Sequence, residues 1–354
     1  MAGEFPRTLY RAALAENAVV LLATAVVVAG GYLAGEVSGQ RDLMRDLFYP
    51  PTFRFMLGLI WLPLPIAFLV GRLKTFDVEG RYIQGLDGWR ENWRRFRTRY
   101  LTVPALIRAL VAGSAMCVVI NVYGSWKRII PRIAPFTWDA RLAEWDRAIH
   151  FGHDPWQLLH PLLARPELTA ALDTLYSTWH PLLAAMLAWQ AWSLRTQSRE
   201  RFFLATILVW VGLGAVLATL LSSAGPCYYH HLVDGSDRFA PLLQYLGQAG
   251  GDAPLLAVRG HEMLWSGYQT GRATPYTGIS AMPSLHIAMP ALFTAALWER
   301  WRLAGAAMAL FTLAMLVGSV HLGWHYAIDG YVSILAVAAI WWLLWKPGWR
   351  LVSR

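Results

Sequence analysis

A helix must keep about 20 predominantly apolar residues in a row to cross a bilayer, and this chain does so repeatedly. Such runs fall at 17–35, 53–71, 101–122, 169–193, 202–222, 281–299, 303–321 and 327–345. They predict an all-α integral membrane protein with eight transmembrane helices. Composition agrees: 15% of residues are charged and 19 of the 354 are Trp. A soluble domain carries about a quarter charged residues, whereas indole rings favour the membrane interface, dry on one edge and wet on the other. The first run, Val19 to Ala34, is long for a secretory leader and lacks a clear small-x-small cleavage site, so it counts as a span.

The net charge is +9, and its placement separates nucleic-acid binding from membrane orientation. With the N-terminus in the cytoplasm, the inner segments are 1–16, 72–100, 194–201, 300–302 and 346–354. They hold about 18 Lys and Arg, against about 11 in the much longer outer segments. That asymmetry is the positive-inside rule, so no nucleic-acid partner is expected. The Arg-dense stretch from Trp89 to Arg97 reads as a cytoplasmic interfacial helix on anionic lipid. The chain divides into residues 1–100, two leading spans and a basic cytoplasmic loop, and residues 101–354, a six-span core. Two long outer segments interrupt the core, 123–168 and 223–280. The first carries a surface helix around Trp138–Asp146, and the second, rich in Gly and Pro, reads as a lid or binding loop. Cys117 and Cys227 supply neither a disulfide framework nor a zinc spacing.

All ten histidines, from His150 to His325, fall outside or in the outer part of a span under this topology. Ionisable groups at membrane depth are expensive and tend to mark function. Two clusters stand out. The sixth span opens Met282-Pro283-Ser284-Leu285-His286, with Pro283 suited to the first helical position and free amides after it that can bind phosphate. Before the eighth span stands His321-Leu322-Gly323-Trp324-His325-Tyr326-Ala327-Ile328-Asp329. His325 and Asp329, four apart, share a face if helical, and an Asp on one ring nitrogen makes the other more basic. His321 lies one further turn back on that side. The plainer reading of each cluster is a polar helix end at the interface.

Together these residues resemble the type 2 phosphatidic acid phosphatase superfamily, whose second motif is Pro-Ser-Gly-His and whose third is Ser-Arg-x5-His-x3-Asp. Pro283-Ser284-Leu285-His286 matches the second, and His325 with Asp329 matches the end of the third. The Pro-Ser-Leu-His form looks most like the inositol phosphorylceramide synthase branch, which moves phospho-headgroups between lipids. The resemblance covers residues 101–345 and implies a six-helix core behind two leading helices, with the site at an outer or luminal face. The expected location is a bacterial inner membrane, with the site facing the periplasm. The superfamily's first motif, Lys-x6-Arg-Pro, is missing, and its third-motif Arg position is Ser319. The candidates to hold phosphate instead are Arg272, Arg238, Arg259, Tyr228, Tyr229 and His231, Arg272 first, with Ser284 and His321 beside the motif histidines.

The resemblance implies a substituted-enzyme reaction without metal or cofactor. His325, oriented by Asp329, attacks phosphorus, and His286 protonates the leaving oxygen. The two rings are then expected to face one pocket, about a phosphoryl group apart. A hydroxyl acceptor makes the protein a lipid headgroup phosphotransferase, and water makes it a lipid phosphate phosphatase. A transporter or scaffold that binds lipid without turnover is the third reading. The topology has its own test: single cysteines within 223–280 are expected to react with an impermeant maleimide from outside the membrane, and those within 82–97 only from inside. The reverse pattern would place the site in the cytoplasm.

Overall fold

The computed structural model describes residues 15, 17–40, 58, 60–73, 85–233, 235–251, 253–271 and 278–345. Among these the protein is entirely helical and irregular, without a strand. In chain order the helices are α1 (Ala18–Val37), α2 (Pro63–Leu73), α3 (Gly85–Tyr100), α4 (Val103–Ile133), α5 (Asp139–Ile149), α6 (Pro155–Leu163), α7 (Pro166–Ser177) and α8 (Trp179–Ala191). After them come α9 (Thr196–Leu220), a short turn of helix over 226–232, α10 (Ala240–Ala249), α11 (Leu256–Thr270), α12 (Leu285–Trp298), α13 (Arg302–His321) and α14 (Ala327–Leu343).

Among the described residues, four of the eight expected runs are single helices long and apolar enough to cross a membrane: α1, α4, α9 and α13. The apolar helices α12 and α14 are shorter. The expected span 169–193 is instead two helices, α7 and α8, parted at Thr178. Pro181 has no N–H for the carbonyl of Ser177, and its ring crowds that carbonyl. The run 53–71 reaches α2 only from Pro63, and residues 51–57 and 59 lie outside the described residues. The largest departure is α4. Thr102 caps it, its Oγ1 accepting from the Ala105 N–H at 3.4 Å, and it runs for 31 residues. At 1.5 Å per residue that is about 46 Å, against about 30 Å of hydrocarbon. The segment 123–133, expected to begin an outer loop, is therefore the continuation of a span.

α12 packs against both α13 and α14, α9 lies along α4 and touches α12, and α1 runs beside α4. Within α9, residues Val209–Leu217 widen into π-helical turns. At one end of the core, Arg201 of α9 lies over the rings of Trp341 and Trp345, 3.8 and 4.1 Å from their centroids. Its guanidinium meets Glu299 at 2.5 Å, and Trp341 Nε1 donates to the same carboxylate at 2.9 Å. α3 is helical over the Arg-rich stretch and anchored to α2: Phe68 packs on Trp89, Trp93 and Phe96, and Asn92 Nδ2 donates to the Phe68 carbonyl at 2.9 Å. Cys117 and Cys227 are buried free thiols.

The opposite end of the core is three loops laced together: 221–228 after α9, 279–284 before α12 and 322–326 before α14. The Cys227 N–H donates to the Gly323 carbonyl at 3.0 Å, and the Ala281 N–H donates to that of Ser223 at 2.9 Å. The Met282 N–H donates to Ser223 Oγ at 3.1 Å. Gly225 sits where all three meet, with φ at +102°. A Cβ there would stand 2.6 Å from the Trp324 carbonyl oxygen and 3.3 Å from the Ala281 Cβ. Gly225→Ala is thus expected to lower the Tm in detergent, by about 1–3 kcal/mol of stability from the backbone strain alone and more from the clash with main chain. An unchanged Tm would show that the loops can separate.

Candidate active site

Two aspartates of α5 hold this end in shape. Asp139 and Asp146 are seven residues apart, so both point to one side of the helix, and both are buried. Asp139 accepts from the Ala224 N–H at 2.9 Å, the Gly225 N–H at 2.8 Å and the Tyr326 hydroxyl at 2.9 Å. Asp146 accepts from the Ala327 and Ile328 amides at 2.9 and 3.0 Å. These are the first two N–H groups of α14, where a helix end presents unpaired donors and a partial positive charge. Burial pushes the Asp146 carboxyl up to about 6, against the pull of the two amides. Asp173 does the same for α11, accepting from Leu256 and Ala257 at 2.6 and 2.9 Å. The sequence reading missed all three, since nothing local marks an aspartate that caps a distant helix.

The start of α14 positions Asp329. Its Oδ2 accepts from the Tyr326 N–H at 3.1 Å and meets His325 Nδ1 at 3.2 Å. The pairing arises differently from the one expected. His325 precedes the helix, in a turn whose Trp324 and His325 amides both donate to the Ser319 carbonyl, at 2.9 and 3.2 Å. His325 is therefore held by a helix cap and not by a shared helical face. The Ala281 carbonyl also lies near its ring and is the competing acceptor.

α12 positions His286. The helix begins at Leu285, with Ser284 extended at the N-cap, so Pro283 lies one residue before the cap and not at the first helical position. The Ser284 N–H is spoken for by the Asp329 carbonyl at 3.5 Å, while its Oγ is buried without a partner. The His286 ring centroid lies 6.1 Å from that of His325. Tyr176 stacks on His286 at 5.1 Å, Trp179 tilts against it at 4.6 Å, and His180 stands edge-on at 6.3 Å. Trp324 stacks on Tyr176 at 6.3 Å, and His261 meets Trp324 edge-on at 4.2 Å. Burial lowers the His261 ring to about 3, so it is neutral. Around these rings several buried polar atoms lack a protein partner among the described residues: Tyr176 Oη, Trp179 Nε1, Trp324 Nε1, His261 Nε2, Ser284 Oγ and Asp329 Oδ1. Most are donors, and an unpaired buried donor costs about 1–3 kcal/mol, so such a ring suits an acceptor-rich ligand.

Ser284, His286, His325 and Asp329 thus converge, and the remaining sequence candidates do not. His321 ends α13 and turns away, its Nε2 2.9 Å from Thr169 Oγ1 and its ring beside His160 and Tyr245. Continuity with His325 fails because the helix stops at His321. Tyr228 stacks on Trp265 and donates to the His261 carbonyl at 3.1 Å. Tyr229 packs edge-on against Phe239, and His231 lies exposed on Trp265. Arg238 is committed to Asp154, Glu144 and the Ala143 carbonyl, and Arg259 is exposed. Arg272 lies outside the described residues. Among the described residues, a cation on this side of the core is one the sequence reading assigned to a loop: Lys127 of α4, whose stem lies under Gly278 of the loop entering α12 and whose charge is felt by His180, His286 and His325.

A family model described as PAP2 superfamily matches residues 140–343. No curated protein and no solved structure matches the chain. The matched segment holds both histidines and Asp329, while Lys127 precedes it.

Replacing Asp146 tests the scaffold. Asp146→Ala leaves two amides of α14 without an acceptor, at a cost of about 1–3 kcal/mol each. Hydrogen exchange is expected to speed at 327–330 before it changes in α12. Because the Asp146 carboxyl titrates near 6 in the fold and near 3.9 when unfolded, its raised value favours the folded state at low pH. Wild type is expected to be most stable relative to Asp146→Asn at pH 4 and to lose that advantage as the pH rises through 6. A pH-independent difference would show that Asp146 ionises freely in the fold.

Proposed function

Because the chain belongs to the PAP2 superfamily, we propose that it moves a phospho-headgroup from a lipid donor to a hydroxyl acceptor through a phosphohistidine on His325. The superfamily is one of lipid phosphatase- and phosphotransferase-type membrane enzymes, and the chain has helices fit for a bilayer. The observation that carries the finer reading is the asymmetry of the two facing rings. His325 is backed by a carboxylate at 3.2 Å, and His286, 6.1 Å away, has none among the described residues.

The roles follow from that difference. Asp329 on Nδ1 favours the His325 tautomer that keeps its lone pair on Nε2, and steadies the positive charge the ring gains when that nitrogen bonds phosphorus. As the P–N bond forms, the P–O bond to the leaving group breaks, and the departing oxygen takes a proton from protonated His286. The neutral His286 then removes the proton of the acceptor hydroxyl, whose oxygen forms a new P–O bond as the P–N bond breaks. Unpaired donors on Ser284, Tyr176, Trp179 and Trp324 are placed to take the phosphoryl oxygens, fixed before reaction as electrostatic stabilisation requires. The missing Arg clamp and the Pro-Ser-Leu-His form favour a hydroxyl acceptor over water. The Lys and Arg asymmetry supports a site on the side away from the cytoplasm, and the reading adopted is a bacterial inner membrane with the site facing the periplasm.

The test is a pair of substitutions on protein in lipid nanodiscs. His325→Ala is expected to stop both half-reactions. His286→Ala is expected to lose about 10²–10⁴-fold, the usual worth of a general acid, and to lose less with bis(4-nitrophenyl) phosphate, whose leaving group needs no proton. Mass spectrometry of quenched wild type is expected to find phosphate on His325. Adduct on His286, or full activity of His325→Ala, would overturn the roles. Release of free phosphate from a lipid monophosphate without acceptor would make the protein a phosphatase, and lipid binding without turnover a scaffold.

A further inference from the structure

We propose that Lys127, contributed by the long helix α4, is the cation that holds the substrate phosphate between His286 and His325, and that the site is thereby matched to a monoanionic phosphodiester lipid. The inference rests on the phosphotransfer reading above and assigns its missing anion-binding group and the class of its donor.

Position comes first. Were α4 to end with the hydrocarbon, at about 20 residues, residue 127 would lie in a loop. The helix instead continues to Ile133, so Lys127 stays on it. One turn earlier on the same face, Tyr123 packs edge-on against Trp210 at 4.9 Å, which fixes this side of α4 toward the core. The loop entering α12 passes directly over the lysine: a Cβ on Gly278 would lie 2.7 Å from the Lys127 Cγ and from its carbonyl carbon. Only glycine allows that approach, and it confines the side-chain stem. The protein encloses Lys127 while leaving part of its surface open, as a group lining an internal site would be.

Chemistry comes second. Among the described residues Lys127 has no carboxylate and no hydrogen-bond partner, and the groups it acts on are three histidines. An ammonium enclosed in protein is costly unless an anion accompanies it. The carboxylates at this end have other partners: Asp329 Oδ2 takes His325 and the Tyr326 amide, leaving only Oδ1 open, and Asp139 takes two amides and the Tyr326 hydroxyl. A phosphate oxygen lying between His286 and His325 supplies the partner, with the unpaired Ser284, Tyr176 and Trp324 donors around it.

Charge comes third. A phosphomonoester carries about −1.5 to −2 at neutral pH, and a phosphodiester carries −1. Lys127 and the protonated His286 of the first half-reaction, set against the Asp329 carboxylate behind His325, leave one net positive charge, which balances the diester. The monoester needs at least one more fixed cation, and Arg238 is neutralised by Asp154 and Glu144.

The test uses full-length protein in nanodiscs of zwitterionic lipid, with bis(4-nitrophenyl) phosphate as diester probe, 4-nitrophenyl phosphate as monoester probe, and vanadate as a binding probe read by Trp fluorescence and Tm. Lys127→Met is expected to raise the diester KM and lower kcat/KM by about 10–100-fold, the worth of one charge-assisted hydrogen bond, and to abolish the vanadate response. Lys127→Arg is expected to keep part of both. Should Lys127→Met fold poorly, Lys127→Cys alkylated with 2-bromoethylamine restores the ammonium, and recovery of vanadate binding on alkylation carries the proposal. Wild type is expected to prefer the diester probe. Wild-type KM and vanadate binding in Lys127→Met would overturn the role of the lysine while leaving the histidine mechanism standing. A monoester preference would overturn the charge match. Vanadate binding that depends on Lys127 in a protein without turnover would uphold the site and sink the phosphotransfer reading. Neither binding nor turnover in wild type would sink both.

Discussion

Two buried carboxylates on one short helix hold together the end of the molecule where the histidines meet. α5 turns Asp139 and Asp146 inward. The first gathers the turn after α9 and the Tyr326 hydroxyl, and the second gathers the first amides of α14. Three residues of the candidate site hang from something these two hold. Asp329 stands in the first turn of α14, His325 in the turn before it, and Ser284 leans on the Asp329 carbonyl. A carboxylate that accepts several amides at once is costly to lose, because each amide is then left buried without an acceptor. The arrangement allows the histidines to sit in loops and still keep fixed positions, since the loops are bonded to helices at both ends.

The sequence revealed this site unevenly, and the reasons differ from residue to residue. Apolar length is a strong signal, so α1, α4, α9 and α13 were readable as spans. The break at Thr178 was readable in principle from Pro181 but was overridden by the apolar run around it. His325 and Asp329 were paired correctly from their spacing, for a reason that proved wrong. A spacing of four also joins a residue before a helix to the third residue within it. His321 shows where that shortcut fails, because α13 ends there and the next four residues reverse the chain. Lys127 was missed because hydrophobicity marks where the hydrocarbon ends and not where the helix ends. Once a helix passes the interface, polar residues can continue it at no cost, and nothing in composition distinguishes that continuation from a loop. Asp139, Asp146 and Asp173 were missed because their partners lie tens of residues away in sequence.

The polar atoms around His286 show the balance between stability and function at this end of the protein. Tyr176, Trp179, Trp324 and Ser284 each keep a donor that no protein atom accepts among the described residues. A fold selected for stability alone would pair them or replace them with apolar groups. The aromatic packing offsets part of that cost: the Tyr176 and Trp179 rings both lie against His286, and aromatic contacts of this kind contribute about 0.5–1.5 kcal/mol each beyond the area they bury. The same rings fix the imidazole at one tilt.

The π-helical stretch of α9 has a consequence for how this protein can vary. A π-bulge arises when one extra residue is accommodated inside an α-helix, and each residue of an α-helix advances the chain by about 100° around the axis. Residues 209–217 therefore set the azimuth at which everything downstream leaves the helix, including Ser223, Ala224 and Gly225. Were the stretch to relax to plain α-helix with all its residues kept, the exit would swing by roughly that angle, and the amides now facing Asp139 would face elsewhere. Side chains along this part of α9 can change with only local effect, as Val for Leu or Ala for Gly where space allows. Its residue count can change only together with the bulge, so insertions and deletions in α9 are far more restricted than its plain apolar composition implies.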